Sequence, residues 1–196
     1  MTDTRFIQKL RIRNLLSFGP ESEEFELGPL NVLIGPNGSG KSNLIEAVSL
    51  LRAAPRDLAD PIRLGGGIAE LLWKGDAVLL FMGADVTATV SFREAEPPLR
   101  YVLRFSEVGH RTHVDREVIS GASGDDPTTA VPLYRRDDGQ HRASGSSGDC
   151  PTDELVGPHL HSGQGAPMEG LEIGAGQSIL SYLRDPVRHT ELTYLA

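Results

Sequence analysis

Apolar and polar positions alternate from the start of the readable pattern: Phe6, Gln8, Leu10 and Ile12 fall on one side, and Ile7, Lys9, Arg11 and Arg13 on the other. That period of two predicts a half-buried strand. Next come Asn14, Leu15, Leu16, Ser17 and Phe18, an acidic stretch from Glu21 to Glu26 with strand character around Phe25, and a turn at Gly28 and Pro29. Leu30, Asn31, Val32, Leu33 and Ile34 then form a short apolar run. It predicts a strand buried on both faces of a mainly parallel sheet, ended by Gly35. Beyond residue 40 the period changes. Leu44, Ile45, Ala47, Val48, Leu50 and Leu51 recur at helical spacing, opposite Ser42, Glu46, Ser49 and Arg52. An amphipathic helix with one broad buried face follows, closed by Pro55.

Further on, the apolar run over residues 77–85 reads as an ordinary buried strand in a meander, and alternation returns from Val86. Val86, Ala88, Val90 and Phe92 alternate with Thr87, Thr89 and Ser91, and Tyr101, Leu103 and Phe105 follow Pro97 and Pro98. These predict antiparallel strands with one buried face. Residues 121–154 are rich in Gly, Ser, Asp, Thr and Pro, with a small hairpin expected over residues 133–142, turning at Asp138 and Gly139. A short helical pattern runs from Ser178 to Arg184.

The segment between the apolar run and the helix carries the chemistry. Gly35, Pro36, Asn37, Gly38, Ser39, Gly40, Lys41 and Ser42 fit the phosphate-loop pattern G-x-x-x-x-G-K-[ST], between a predicted strand and a predicted helix. The first amides of a helix have no internal partner and sit at the positive end of its dipole, so they suit an anion. Gly38 and Gly40 free the loop to turn its amides toward one phosphate. Lys41 is the candidate catalytic residue, reaching the β- and γ-phosphates, and Ser42 the candidate Mg²⁺ ligand. With Asn43, which follows, these residues form the expected site for ATP and Mg²⁺. The bland reading is a Gly/Ser-rich turn with a solvated lysine.

The string from Leu10 to Leu51 resembles the N-terminal lobe of the ATPases related to RecF, SMC and the OLD nucleases, most closely their small AAA-family or ABC-like relatives. The likeness is close over about the first 55 residues and loose beyond them. It implies an α/β P-loop fold of the ABC-like head type: a mixed sheet around the loop helix, an adjoining antiparallel sheet and an incomplete C-terminal lobe. It also implies an organisation into a nucleotide-binding lobe over residues 1–120, a loop-rich, partly mobile insertion over 121–170, and a short helical tail over 171–196 leading to an absent lobe. Implied partners are a second head in a homodimer or a separate C-terminal lobe, with DNA as a candidate ligand and a role in DNA repair or defence. Many relatives place a basic residue two positions after the Asn of the first strand, where it touches nucleotide; here that position is Leu16, and Arg11 and Arg13 are the candidate substitutes.

Other parts of the family's machinery are missing from the sequence. Leu64, Gly65, Gly66 and Gly67 lack the serine of a signature segment and read as a turn; no glutamate follows Asp85 to act as a base. Gln177 stands where the resemblance permits a magnesium-sensing glutamine, with a helix-terminal polar residue as the plainer reading. The chain therefore reads as an ATPase lobe inactive on its own. A non-catalytic nucleotide-binding module and a small phosphoryl-transfer kinase are the alternatives, and an ABC transporter ATPase is a weaker one.

Composition narrows this only slightly. At 196 residues and 39% hydrophobic content, the chain can build one real core. Its net charge of −8 argues against a broad nucleic-acid-binding face, while positive charge still gathers at Arg5, Lys9, Arg11 and Arg13, and again at Arg100, Arg104, Arg111 and Arg116. With Cys150 as the one cysteine, neither an internal disulfide nor a cysteine metal cluster can form, and His159 and His161 read as surface residues. No apolar run approaches membrane-spanning length and no targeting pattern is visible, so a cytoplasmic, membrane-free protein is expected.

Overall fold

A computed structural model describes residues 6–75, 83–91, 98–121, 132–137, 159–162, 174–178 and 180. The elements run β1 (Ile7–Arg13), β2 (Glu24–Glu26), α1 (Lys41–Ala53), α2 (Ala59–Leu64), α3 (Ile68–Leu71), β3 (Ala84–Val90), β4 (Leu99–Val108), β5 (Arg111–Gly121), β6 (Pro132–Asp137) and β7 (His159–Ser162). The strands form one sheet in the order β2-β1-β3-β4-β5-β6-β7. Every pairing is antiparallel, so no mixed sheet forms among the described residues.

One face of this sheet is the core. Leu10 and Ile12 of β1, Val86 and Ala88 of β3, Leu103 and Phe105 of β4, and Val114 and Ile119 of β5 are buried together with Leu44, Ala47 and Leu50 of α1. The helix thus lies against the sheet by its 44-47-50 stripe, with Val48 and Leu51 packed beside it. Leu58, which caps α2, with Ile62, Ile68 and Leu71 of the two short helices, closes the same core, and Gly65 to Gly67 turn between them as the sequence suggests. The opposite face carries Lys9, Arg11 and Arg13, in register through β3 with Arg100 and Arg104 of β4.

Several expectations need correction. A bulge between Ile7 and Lys9 breaks the alternation of β1 and sets Ile7 against the core, not on the outer face. Residues 30–34 do not form a strand. They run without regular structure, with Leu30 85%, Val32 72% and Ile34 89% exposed. A doubly buried strand needs a ladder on each edge and a layer on each face, and no described element supplies them. For the same reason Ile45, expected in the helix's buried face, is 60% exposed. Of the hairpin expected over 133–142, residues 138–142 lie outside the described residues; Pro132–Asp137 form β6, paired with β5 on one edge and β7 on the other. Residues 76–82 and 181–196 lie outside the described residues, so the first part of the predicted strand over 77–85 and the C-terminal part of the helical tail are not seen.

Candidate functional site

The loop spans residues 35–40, and α1 begins at Lys41. Gly38 and Gly40 take φ of 82° and 87°, in the left-handed region that favours glycine. Gly40 is the N-cap and supplies no side chain to the first-turn amides, and that turn carries no acidic residue. Among the described residues no side chain caps the mouth of the helix, and an anion placed there would meet favourable hydrogen bonding and charge.

Lys41 turns back over this mouth. Its Nζ donates to Gly35 O at 2.9 Å, to Pro36 O at 2.7 Å and to Ser39 Oγ at 3.3 Å. A cation thus sits within the loop, ringed by oxygens at the separations phosphate oxygens would take. Ser42 is exposed on the first turn. As a Mg²⁺ donor set, one hydroxyl is too little alone, and no cluster of acidic, histidine or cysteine ligands occurs among the described residues. The site fits Mg²⁺ only as an ion carried by nucleotide phosphates and water, which is how that ion commonly binds.

Asn14 to Phe18 form a tight turn beside the loop. Leu15 and Phe18 exchange backbone hydrogen bonds, Leu16 N donates to Leu71 O, and Trp73 N donates to Asn14 O. Asn14 and Leu16 are left-handed, with φ of 51° and 53°. The Leu16 side chain packs on the core, while the exposed Ser17 sets its hydroxyl 2.8 Å from where a Cβ on Gly40 would stand. Position 17, not position 16, faces the loop. Sequence reasoning passed over Ser17; Asn14, a residue tolerant of left-handed backbone, was the available hint of a turn.

The remaining candidates lie elsewhere. Arg11 and Arg13 project from the sheet's outer face, away from α1. Asp85 stands on that face too, in register with Arg13 and Arg104 and accepting from Thr87 Oγ1 at 3.2 Å. Gln177 belongs to a turn docked on β5: Ala175 O accepts from Val114 N at 2.8 Å, and Gln177 Oε1 accepts from Gly174 N at 3.1 Å. Its neighbour Ser178 is buried, donating to Glu117 Oε1 at 2.5 Å, where Tyr101 Oη also donates at 2.7 Å. Burial, and then the adjacent Glu117, push the Tyr101 hydroxyl well above the ordinary tyrosine value.

Comparison with known proteins bears on this loop. Residues 30–114 match the family model described as "AAA domain, putative AbiEii toxin, Type IV TA system". The chain is 30% identical over 98 residues to the chromosome partition protein Smc of Mycolicibacterium paratuberculosis, covering 49% of this chain and 8% of that protein. It is 46% identical over 44 residues to the DNA double-strand break repair Rad50 ATPase of Methanopyrus kandleri, covering 22% and 5%. To the Rad50 ATPase of Sulfurisphaera tokodaii it is 41% identical over 70 residues, covering 33% and 8%. The chain spans less than a tenth of the length of these relatives.

Proposed function

The chain belongs to the SMC/RecF/OLD-like AAA ATPases, and from that premise we propose that residues 35–43 bind ATP with Mg²⁺. The observation that carries this reading is the Lys41 ammonium group held inside its loop by Gly35 O and Pro36 O. On binding, phosphate oxygens replace those carbonyls around Nζ, the free first-turn amides receive the phosphate, and Ser42 offers its hydroxyl to the ion. Bound Mg²⁺ supplies charge neutralisation across the phosphates. Lys41 orients the terminal phosphate and stabilises charge there.

Hydrolysis needs a carboxylate base and further strands. Residues 30–34 and Ile45 expose apolar surface, and beside them lies an apolar cleft of about 540 Å³ lined by Leu10, Leu27, Leu33 and Leu44. These features support a lobe completed by a C-terminal lobe or by another chain, with two such heads closing on ATP in the cytoplasm and parting on cleavage. Gln177 keeps a role in magnesium sensing only if that assembly draws it from its turn on β5. Binding of a fluorescent ATP analogue, lost in Lys41→Ala, tests the reading; equal binding by both proteins overturns it.

A second reading rests on the outer sheet face. Lys9, Arg11, Arg13, Arg100, Arg104 and Arg116 gather there from two distant stretches of sequence, interspersed with Glu24, which pairs with Lys9 at 3.1 Å, and with Glu26, Asp85, Asp115 and Asp137. The Nε atoms of Arg11, Arg13 and Arg100 are buried with no acceptor among the described residues. A phosphodiester backbone would supply acceptors, which supports DNA as a ligand of this face despite the net charge of −8.

A further inference from the structure

We infer that Ser17 is a nucleotide-contacting residue, donating its hydroxyl to a phosphate oxygen of the nucleotide bound by residues 35–43. This rests on the nucleotide-binding reading of that loop. Three observations carry it. The Ser17 Oγ lies against Gly40, 2.8 Å from the position of a Cβ that Gly40 lacks, so it stands at the mouth of α1 beside the amides that await an anion. Ser17 is exposed, and no hydrogen bond to another described group engages its hydroxyl. The turn that presents it is fixed from several sides: Leu16 N to Leu71 O, Trp73 N to Asn14 O, and Asn14 Nδ2 to Gly83 O at 3.3 Å.

That turn holds Leu16 at φ 53°, a left-handed conformation unfavourable for leucine, and a strained turn persists only where its surroundings over-determine it. The consequence of the strain is an exchange of roles between neighbours. Leu16 is turned into the core, and the short side chain at 17 is delivered to the loop. A basic residue at 16 could not reach the phosphates in this geometry without leaving that packing. A neutral hydroxyl at 17 reaches them at no cost in desolvated charge.

The test measures affinities of the wild type, Ser17→Ala, Ser17→Thr, Ser17→Val and Lys41→Ala for ATP, ADP and inorganic pyrophosphate, alongside their melting temperatures. Ser17→Ala and Ser17→Val should weaken all three ligands roughly five- to tenfold, the scale of one net hydrogen bond, with unchanged melting. Ser17→Thr should restore the wild-type values. Weakening toward ATP and ADP but not pyrophosphate overturns the phosphate contact in favour of a sugar contact. A loss that follows melting temperature, or that Thr fails to rescue, overturns it in favour of a packing role. If Lys41→Ala abolishes binding and Ser17→Ala does not weaken it, this inference alone fails; if the wild type binds none of the ligands, the reading of the loop fails as well.

Discussion

Replacing Ile34 by Thr separates the two accounts of the segment before the loop. As a strand buried on both faces, it would make Ile34 a core residue, and full burial of an isoleucine is worth about 1.5–3 kcal/mol. In the structure Ile34 is 89% exposed, so about a tenth of that surface is out of water and the stake falls to about 0.3 kcal/mol. Thr keeps the β-branch, so backbone propensity changes little. Leu10, fully buried in β1, supplies the contrast: Leu10→Ala should cost about 2–5 kcal/mol. Equilibrium urea unfolding of the three proteins, at two protein concentrations, is the assay. A loss above about 1.5 kcal/mol for Ile34→Thr would refute the exposed arrangement, and dependence of that loss on protein concentration would locate the burial in a contact between copies.

Gly40→Ala places a Cβ at φ 87°, at a cost of about 1–2 kcal/mol, and brings it against Ser17 Oγ; thermal unfolding should show the loss, with a smaller one when Ser17→Ala is added. Tyr101→Phe removes a donor to the buried Glu117 and should cost about 1.5–3 kcal/mol in urea unfolding. The folded chain keeps the Tyr101 proton to higher pH than the unfolded chain does. Its contribution is therefore complete below pH about 10, where the unfolded tyrosine ionises, and is lost as pH rises toward the folded value; Tyr101→Phe should flatten that alkaline decline. Neutralising Arg11, Arg13 and Arg100 to Gln should weaken binding of a duplex oligonucleotide and reduce its log–log salt slope by roughly 2–3, measured by fluorescence anisotropy; an unchanged slope removes the outer face from consideration.

What the sequence disclosed follows from how local each signal is. The inner positions of β1, β3 and β4 and the 44-47-50 stripe of α1 were legible because periodicity reports a face directly. Residues 30–34 and Ile45 were misjudged because periodicity reports a demand for burial, and meeting it depends on neighbours that the described residues do not include. Gln8 and Ile7 illustrate a different limit: a single bulge shifts every side chain beyond it, and no residue in β1 announces one. The short helices α2 and α3 and the four-residue β7 are too brief to show a period. At the site, the span 35–43 was read from residue identity and its place before a helical pattern, whereas Ser17 depends on left-handed backbone at Leu16, for which leucine carries no signal.

The tie between Ser178, Glu117 and Tyr101 joins positions 61 and 77 residues apart. Because that link is made by side chains, together with Val114 N bonded to Ala175 O, the closing segment is anchored independently of the peptide that leads to it. Severing the backbone between Ser162 and Gly174 should therefore yield two pieces that copurify, and the smaller one added back as a free peptide should reoccupy its seat on β5.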